Sequence, residues 1–358
     1  MIIANEREEL SLLGNKNTDL DRLIDYAHDI HDNFITWNID ETFKQPISFE
    51  HNEAGKESFI RFAHRAQYGT PKGYTRSDIT QYAFGQACDI WGIPAKYIQR
   101  LTDDGMSDLV YDNIKRRSAF AATQGRYNGI RCLQNKGVVE AFVSDKYDNT
   151  FPACNVLETI KDCINTEVYA PNQAYISNSK MHVRFIDIDN PIDIPGAGKM
   201  TFGFTVDSSD IGKSALRITF FIYKFSCKNG IVRVAKGGTI YRQVHMGQAF
   251  TQANIEEFKS AFNYIDALRE NSIDLIMQST NRMMSEREMF NILDACRKYD
   301  ISSSEKEKEK IINLADTKYG RTKWGLINGI TEVAQNHTLD NRLAYEAWAG
   351  KLLERKIS

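Results

Sequence analysis

The sequence predicts an α+β fold in which a large, curved antiparallel β-sheet occupies the middle of the chain and helices flank it on both sides. The chain has 358 residues, of which 42% are hydrophobic and 26% are charged, so it is long enough to bury the core of one or two domains. Apolar residues recur with helical spacing near both ends and with period two between them. We expect an acidic N-terminal region over residues 1–60, an α+β core with a basic antiparallel sheet over residues 61–250, and a helical C-terminal region over residues 251–358 that packs on the core.

The first half of the chain predicts three helices. Apolar residues on one face of Thr18–Ile30 indicate a short amphipathic helix at the periphery. A second helix is predicted over Asp78–Trp91, with Ser77 as its N-cap and the sequence Gly92-Ile93-Pro94 as its end. Pro94 then suits the first turn of a third helix, because its fixed φ is helical and its missing N–H is not needed there.

After about Arg117 the apolar pattern takes period two, which predicts strands. Asn135-Lys136-Gly137 is predicted to be the turn of a hairpin. Asn229-Gly230 is predicted to be another turn, because glycine and asparagine tolerate a positive φ. The predicted strands, which we assign to one antiparallel sheet, are Gly129–Gln134, Val138–Ser144, Ala174–Ser177, Met181–Ile188, Met200–Val206, Ala215–Cys227, Ile231–Ala235 and Thr239–His245.

From about Asn254 the spacing becomes helical again. Ile255, Phe258 and Phe262 form an apolar stripe, which predicts a helix that faces the core or a subunit interface. The run Ser302–Lys310 predicts a capped and solvated helix start. The segments TKWGLINGITEVAQ and NRLAYEAWAGKLLERK predict two closing helices.

Charge is unevenly distributed along a chain whose net charge is only -2. Residues 1–60 carry 13 acidic and 5 basic side chains, whereas residues 61–136 carry 6 acidic and 12 basic ones. Residues 199–242, in the predicted sheet, add 8 basic side chains against 2 acidic ones. An acidic N-terminal region could cover a basic surface of its own chain or of a neighbouring subunit, and the alternative is that these charges are solvated faces of unrelated elements.

Composition excludes several classes of protein. No apolar run reaches the length of about 18 residues that a membrane span needs, and the N-terminus has no basic segment followed by an apolar one. We therefore expect a cytoplasmic protein that does not contact a membrane. The six cysteines are scattered without close pairing, which is typical of reduced and buried thiols.

The sequence contains no motif for catalysis or metal binding with the spacing that the chemistry requires. Ile211-Gly212-Lys213-Ser214 is similar to the end of a phosphate-binding loop, but that loop requires glycine where the chain has Asp207. We interpret the segment as a connection between two strands, from which Lys213 could contact a phosphate. His28 and His31 are three residues apart on a helix, which is typical of a solvated polar face rather than a metal site. No catalytic residue, metal or cofactor is predicted.

Nucleic-acid binding requires distributed cations and aromatic faces, and both occur in the chain. One group of candidates lies in the segment KRRSAFAATQGRYNGIR and the other in the predicted sheet. The candidate residues are Lys115, Arg116, Arg117, Arg126, Tyr127, Arg131, Lys213, Arg217, Tyr223, Lys224, Arg233, Tyr241 and Arg242. Against this interpretation, the aromatic residues could belong to the core, and no motif of a known nucleic-acid-binding domain is present.

Several short segments carry a family resemblance. They are IPAKYIQRL, AFVSDKYDN, CKNG followed by YRQVH, and TKWGLINGITE with NRLAYEAWAG, spread over residues 75–355. Together they resemble an uncharacterised family of proteins found in phages, prophages and plasmids. The resemblance implies a mobile element in a bacterial cytoplasm, and it assigns no reaction.

A basic sheet in a protein of this setting suits the binding or annealing of single-stranded DNA during recombination or replication. Proteins of that kind often act as rings or filaments, so we expect a homo-oligomer whose partner is single-stranded DNA. Two other classes stay open. One is a protein-interaction factor, such as an inhibitor of a host defence system, and the other is an enzyme that processes nucleic acid.

Overall fold

The computed structural model describes residues 9–10, 16–39, 47–51, 58–65, 74–225, 229–232, 239–295 and 304–355. The helices in these residues are α1 (Lys16–Asp32), α2 (Gln81–Trp91), α3 (Ala95–Asp103), α4 (Ser107–Thr123), α5 (Ala153–Cys163), α6 (Gln252–Ser260), α7 (Ile265–Asn281), α8 (Glu286–Asp294), α9 (Glu305–Leu314), α10 (Lys323–Ala334) and α11 (Leu339–Glu354). The strands are β1 (Glu9–Leu10), β2 (Phe34–Asn38), β3 (Ile47–His51), β4 (Ser58–Arg65), β5 (Tyr74–Ile79), β6 (Ile130–Asn135), β7 (Val138–Ser144), β8 (Tyr169–Ile176), β9 (Met181–Asp187), β10 (Ile192–Ile194), β11 (Gly198–Ser208), β12 (Leu216–Lys224), β13 (Asn229–Val232) and β14 (Thr239–Gln243).

A large antiparallel sheet in the middle of the chain, with helices at both ends, confirms the predicted α+β class. Its strand order is β1-β8-β9-β11-β12-β13, with β10 paired to β11 and β14 paired to β12. A second sheet has the order β2-β6-β7-β5-β4-β3, in which β5 and β7 are parallel. The assignment of all strands to one sheet is therefore wrong. The hairpin of β6 and β7 pairs with β2 and β5, which come much earlier in the chain, and strand patterns alone do not reveal partners.

The hairpin between β6 and β7 has the predicted turn. Lys136 and Gly137 both have a positive φ, of 44° and 83°, as the two central residues of a type I′ turn require. Asn135 is the last residue of β6, and its side-chain amide donates a hydrogen bond to the Ile30 carbonyl at 2.8 Å. The turn thereby anchors the end of α1 to the small sheet.

Helix α2 begins later than predicted. The Thr80 hydroxyl, not that of Ser77, is its cap and accepts a hydrogen bond from the Ala83 N–H at 3.2 Å. The residues before it form strand β5, whose pairing with β7 satisfies backbone groups that a helix would otherwise use. Gly92 ends the helix with a φ of 67°, as predicted.

Asn229-Gly230 is not a turn. Asn229 is already paired with Lys224 at the start of β13. A β-carbon on Gly230 would lie 2.4 Å from the Phe221 ring and 3.3 Å from Oε1 of Glu346. Glycine is required there because the Phe221 ring of the neighbouring strand, with Glu346 of α11 beside it, occupies the space of a side chain, and not because of a positive φ.

The two faces of the large sheet differ. Phe185, Phe204 and Phe220 lie on the apolar face, where Phe185 and Phe204 stack with their ring centroids 4.9 Å apart. Helix α1 packs on this face through Leu20 and Leu23, which confirms its predicted amphipathic character. The opposite face carries the polar residues described below.

Three loops meet around the Tyr147 side chain: the loop after β7, the loop between β11 and β12, and the loop after β14. The Tyr147 hydroxyl donates a hydrogen bond to the Ser209 carbonyl at 3.2 Å, and its ring stacks on His245 at 5.8 Å. Gly212, in the connection between β11 and β12, has a φ of 76°, and a β-carbon there would lie 2.9 Å from the same ring. The close packing of Gly212 against the Tyr147 ring therefore determines where the next residue, Lys213, lies.

Asp210 lies in the same connection and accepts a hydrogen bond from the Ala153 N–H at 2.9 Å. Burial raises the pKa of its carboxyl group to about 6. In the unfolded chain an aspartate loses its proton near pH 3.9. Between these values the folded protein holds a proton that the unfolded chain has lost, so stability falls as pH rises through this window.

We expect Asp210→Asn to remove that loss, because the amide oxygen can still accept the Ala153 hydrogen bond. The free energy of unfolding of the variant relative to the unsubstituted protein should rise between pH 4 and pH 6, by on the order of 2 kcal/mol. Urea unfolding at a series of pH values measures this difference. A difference that stays constant over the window would contradict the assignment.

Candidate nucleic-acid interface

The structure distributes the predicted binding residues over three places. Lys115, Arg116, Arg117 and Arg126 lie on α4 and in the loop that follows it. A second group, Lys213, Arg217 and Arg242, lies at one end of the large sheet. The remainder are wholly or partly inside the protein: Tyr127, Arg131, Tyr223, Lys224 and Tyr241. Arg233 falls outside the described residues.

Three predicted contacts are wrong because the side chains are buried. Tyr127 accepts a hydrogen bond from the Trp91 indole at 2.8 Å, and burial raises its pKa to about 12. Tyr241 lies on the apolar face of β14, and its hydroxyl donates to the Asn254 carbonyl at 3.3 Å. Lys224 donates to Oδ1 of Asn328 at 3.0 Å, and its ammonium group is 5.0 Å from the Tyr319 ring centroid. None of the three can contact a nucleic acid without unfolding its surroundings.

Arg131 and Tyr223 are half-buried. The Arg131 guanidinium donates to the carbonyls of Ser144 and Tyr147, so it holds the start of a loop that joins the two sheets. The Tyr223 ring lies between Phe221 and Phe225. These two side chains serve packing in the described structure.

The sheet end brings two predicted cations together. Arg217 and Arg242 are directly opposite each other on β12 and β14, and Arg217 is also opposite Asp207 on β11. Lys213 precedes Arg217 in the chain, and its ammonium group lies 5.4 Å from the centroid of the Tyr82 ring at the start of α2. The loop before β12 therefore places a positive charge beside the start of α2.

Cations and aromatic rings are paired on the exposed side of α4. The Lys115 ammonium group lies 5.5 Å from the Tyr111 ring centroid, and the Arg117 guanidinium lies 5.6 Å from that of Phe120. The two rings are 41% and 47% exposed. Arg116 is exposed beside them and pairs with Asp112 at 3.2 Å. We call this group, together with Arg126, the α4 surface.

Arg117 and Arg126 also hold the C-terminal end of α2. Arg117 donates to the Gly92 carbonyl at 2.8 Å and to the Trp91 carbonyl at 3.2 Å, and Arg126 donates to the Ile90 carbonyl at 3.2 Å. These carbonyls have no partner within the helix, and positive charge is favourable at this end of a helix dipole. The two guanidinium groups flank one point, because a β-carbon on Gly92 would be 2.8 Å from one and 2.9 Å from the other. Together they concentrate positive charge at one end of α2.

The exposed aromatic residues of the α4 surface were not predicted, although the sequence contains a signal for them. Val110, Ile114 and Ala121 recur with helical spacing and are buried. On that helix Tyr111 and Phe120 fall outside the apolar stripe, so they are expected to face solvent.

Gly85 is in the middle of α2, where glycine lowers helix stability by about 0.5–1 kcal/mol relative to alanine. Its φ is not positive, and apart from its chain neighbours and the backbone of its own helix, no atom of the described residues comes within 4 Å of a β-carbon placed on it. It lies on the same side of the helix as Tyr82 and Asp89, which are three residues before and four residues after it. Nothing in the described part of the fold requires glycine at this position.

A buried polar network on the other face of the large sheet contains a His–Asp pair. Nδ1 of His182 is 2.8 Å from Oδ1 of Asp207, and Nε2 of His182 accepts a hydrogen bond from Nε of Arg184 at 3.2 Å. Arg184 also binds the Glu346 carboxylate, which accepts a second hydrogen bond from Arg342 at 3.1 Å. A general base needs an accessible nitrogen, and Arg184 occupies the one that His182 would use. The ion pair of Arg184 with Glu346 fixes α11 to the sheet.

Of the two histidines considered above as metal ligands, His28 has a partner on another helix. Nε2 of His28 lies 2.8 Å from Oε1 of Glu158 on α5. In the part of the chain that the structure describes, no three His, Cys, Asp or Glu side chains are grouped so that they could hold a metal ion. Also among the described residues, no helix combines the length and hydrophobicity that crossing a membrane requires.

Comparison with known proteins gives no match to a family model, to a curated protein or to a solved structure.

The pair of Arg184 and Glu346 leads to a prediction about stability. Glu346→Ala leaves a buried guanidinium without its carboxylate and should lower the free energy of unfolding by about 3–5 kcal/mol. Asp340→Ala on the same helix removes an exposed partner of Lys180 at 3.5 Å and should cost no more than about 1 kcal/mol. Urea unfolding of both variants measures the contrast, and equal losses would contradict the role of Glu346.

His182 should remain neutral in the folded protein. An arginine can only donate, so Nε2 of His182 is an acceptor and Nδ1 carries the proton shared with Asp207. Burial lowers the pKa of the imidazole below its usual value. We expect ¹⁵N NMR at pH 6, where an ordinary histidine with a pKa of about 6.5 is largely protonated, to show the Nδ1–H tautomer. A doubly protonated ring at that pH would contradict the arrangement.

Proposed function

We propose that the protein binds nucleic acid, with single-stranded DNA as its ligand, through the α4 surface. The observation that carries the proposal is the placement of two cation–aromatic pairs on one exposed helix, beside two further arginines. Single strands are bound by cations along the phosphate backbone and by aromatic rings on which bases stack. The α4 surface offers both kinds of group.

Binding would combine two contributions to the free energy. Lys115, Arg116 and Arg126 would contact phosphates and release the counterions condensed on them, which makes affinity depend on salt. Tyr111 and Phe120 would stack on bases, each stack contributing about 1–3 kcal/mol. Because stacking does not depend on the identity of the base, the binding would be tolerant of sequence.

The setting of this function is also part of the proposal. The segments described above resemble proteins of phages and plasmids, which supports a role in recombination or replication of a mobile element in a bacterial cytoplasm. A homo-oligomer, as a ring or filament, would extend the binding surface along a strand, and light scattering with and without DNA tests for it. Asp25 and Asp32 of α1 are exposed and could face the basic surface of a neighbouring subunit.

The double variant Lys115→Glu and Arg116→Glu tests the α4 surface without removing the arginines that hold α2. Its affinity for labelled single-stranded DNA, measured by fluorescence anisotropy, should fall at least about tenfold. The slope of log K against log salt should also become shallower, by about 0.7 for each phosphate that the variant no longer binds.

The matched control is Lys306→Glu and Lys310→Glu on α9, where two exposed lysines give the same change in net charge. If both double variants lose affinity equally, binding follows net charge and the α4 surface is not the site. If neither loses affinity while the unsubstituted protein binds DNA, the site lies elsewhere.

A protein partner is the second candidate, and one observation favours it. Met106 and Leu109 are 46% and 50% exposed on the side of α4 that carries Phe120. Exposed apolar side chains at helical spacing are typical of a protein interface. Recovery of one stoichiometric protein and no nucleic acid from a host lysate, with loss of that protein in Leu109→Asp, would favour this function over DNA binding.

A further inference from the structure

We infer that the bound strand continues from the α4 surface along the exposed side of α2 to Lys213, so that this helix forms the middle of the binding track. The inference rests on the proposed function and adds a path and a second contact point to it. It connects the two groups of predicted cations, which the sequence places about a hundred residues apart.

Helix α2 has a cationic group at each end. Arg117 and Arg126 bind the carbonyls at its C-terminal end, and Lys213 lies over Tyr82 at its N-terminal end. Tyr82 and Gly92 are ten residues apart, which corresponds to about 15 Å along a helix. A polyanion that contacts both ends must therefore pass over the side of α2 between them.

Gly85 lies on that side, between Tyr82 and Asp89. The absence of a side chain lets a ligand approach the helix backbone. Neither the backbone conformation nor packing among the described residues explains the glycine, whereas close passage of a strand does.

The charges along the path favour a polyanion. Arg117, Arg126 and Lys213 outnumber Asp89, the acidic side chain that the described residues place on this side of the helix. The Asp89 carboxylate would be a hydrogen-bond acceptor for an amino group of a base, and not a phosphate contact. Gln86 is adjacent but is already used, because its Oε1 accepts a hydrogen bond from the Phe142 N–H at 2.8 Å.

The inference is tested by substitutions that place a side chain in the space over Gly85. Gly85→Leu should raise the melting temperature, because leucine is a better helix former than glycine. Its affinity for a labelled oligothymidylate of about 12 nucleotides, within the range of known single-strand site sizes, should nevertheless fall roughly tenfold, as expected for loss of one contact. Gly85→Ala should raise the melting temperature at least as much, because alanine is the best helix former, whereas its smaller side chain should lower the affinity less.

Two further variants make the result specific. Gln278→Leu adds the same side chain to an exposed position of α7 and should leave the affinity unchanged. Lys213→Ala should lower the affinity and make the salt slope shallower by about 0.7, the value for one phosphate contact on a single strand.

The outcomes separate the path from the function. If the unsubstituted protein binds no single-stranded DNA at low salt, the proposed function fails and the path with it. If binding depends on Lys115 and Arg116 but Gly85→Leu and Lys213→Ala bind as the unsubstituted protein does, the function stands and the path is wrong. Equal weakening by Gly85→Leu of single-stranded DNA and of a duplex of the same length would overturn the choice of a single strand as the occupant.

Discussion

The antiparallel pairing of β11 with β12 is the constraint on which the rest of the structure depends. It is continuous from Met200 opposite Lys224 to Asp207 opposite Arg217. Because side chains alternate between the two faces of a sheet, this register puts Phe204 and Phe220 on the apolar face, and Asp207, Thr205 and Arg217 on the other face. A slip by one residue would exchange the two faces and bury charges in the apolar core. The same pairing ends at the loop that carries Lys213, so it also determines where that cation meets α2.

The polar face of the sheet explains why α11 lies where it does. Glu346 reaches over β13 to Arg184, and the missing side chain of Gly230 leaves room for the Phe221 ring and for the Glu346 carboxylate. A buried ion pair of this kind contributes little net stability compared with apolar packing, but breaking it by removing one partner is costly. The network is therefore better understood as fixing one arrangement of helix and sheet. In that arrangement Arg184 occupies Nε2 of His182. The pair of His182 and Asp207 therefore has a structural role, although its geometry is similar to that of a catalytic pair.

Local patterns predicted local structure well, and pairings between distant segments poorly. The turn at Lys136 and Gly137 could be predicted because its requirement for positive φ is contained in two residues. Helix α2 begins later than its apolar spacing suggests because β5 pairs with β7, about 60 residues further along the chain. The residues before Gln81 contain no signal that identifies this partner. Tyr241 illustrates the same limit for the binding site: whether an aromatic residue of a strand faces solvent or core depends on register and on which face the helices cover.

The sequence shows an uneven distribution of charge along the chain, but only the structure shows which of these charges pair with each other. Part of the acidic N-terminal region is neutralised within the chain, because Asp21 pairs with Lys161 at 2.7 Å and Asp29 pairs with Lys136 at 3.0 Å. These exposed pairs contribute little to stability, but they keep two lysines from adding to a basic surface. The candidate cations were expected in two separate groups, and the structure places Arg117 with Arg126 from one group and Lys213 from the other at opposite ends of α2.

The arginines at the end of α2 combine two roles that are usually separate. Arg117 and Arg126 satisfy helix carbonyls, which orders their guanidinium groups before any ligand arrives. Ordering a long side chain costs conformational entropy on binding, so arginines that the fold already holds would give up less of it on contact with a phosphate. Their hydrogen bonds to carbonyls use only some of the five N–H donors of each group. The remaining N–H donors of these two arginines are held in place by the end of α2. They are therefore the most rigidly positioned donors of the proposed interface.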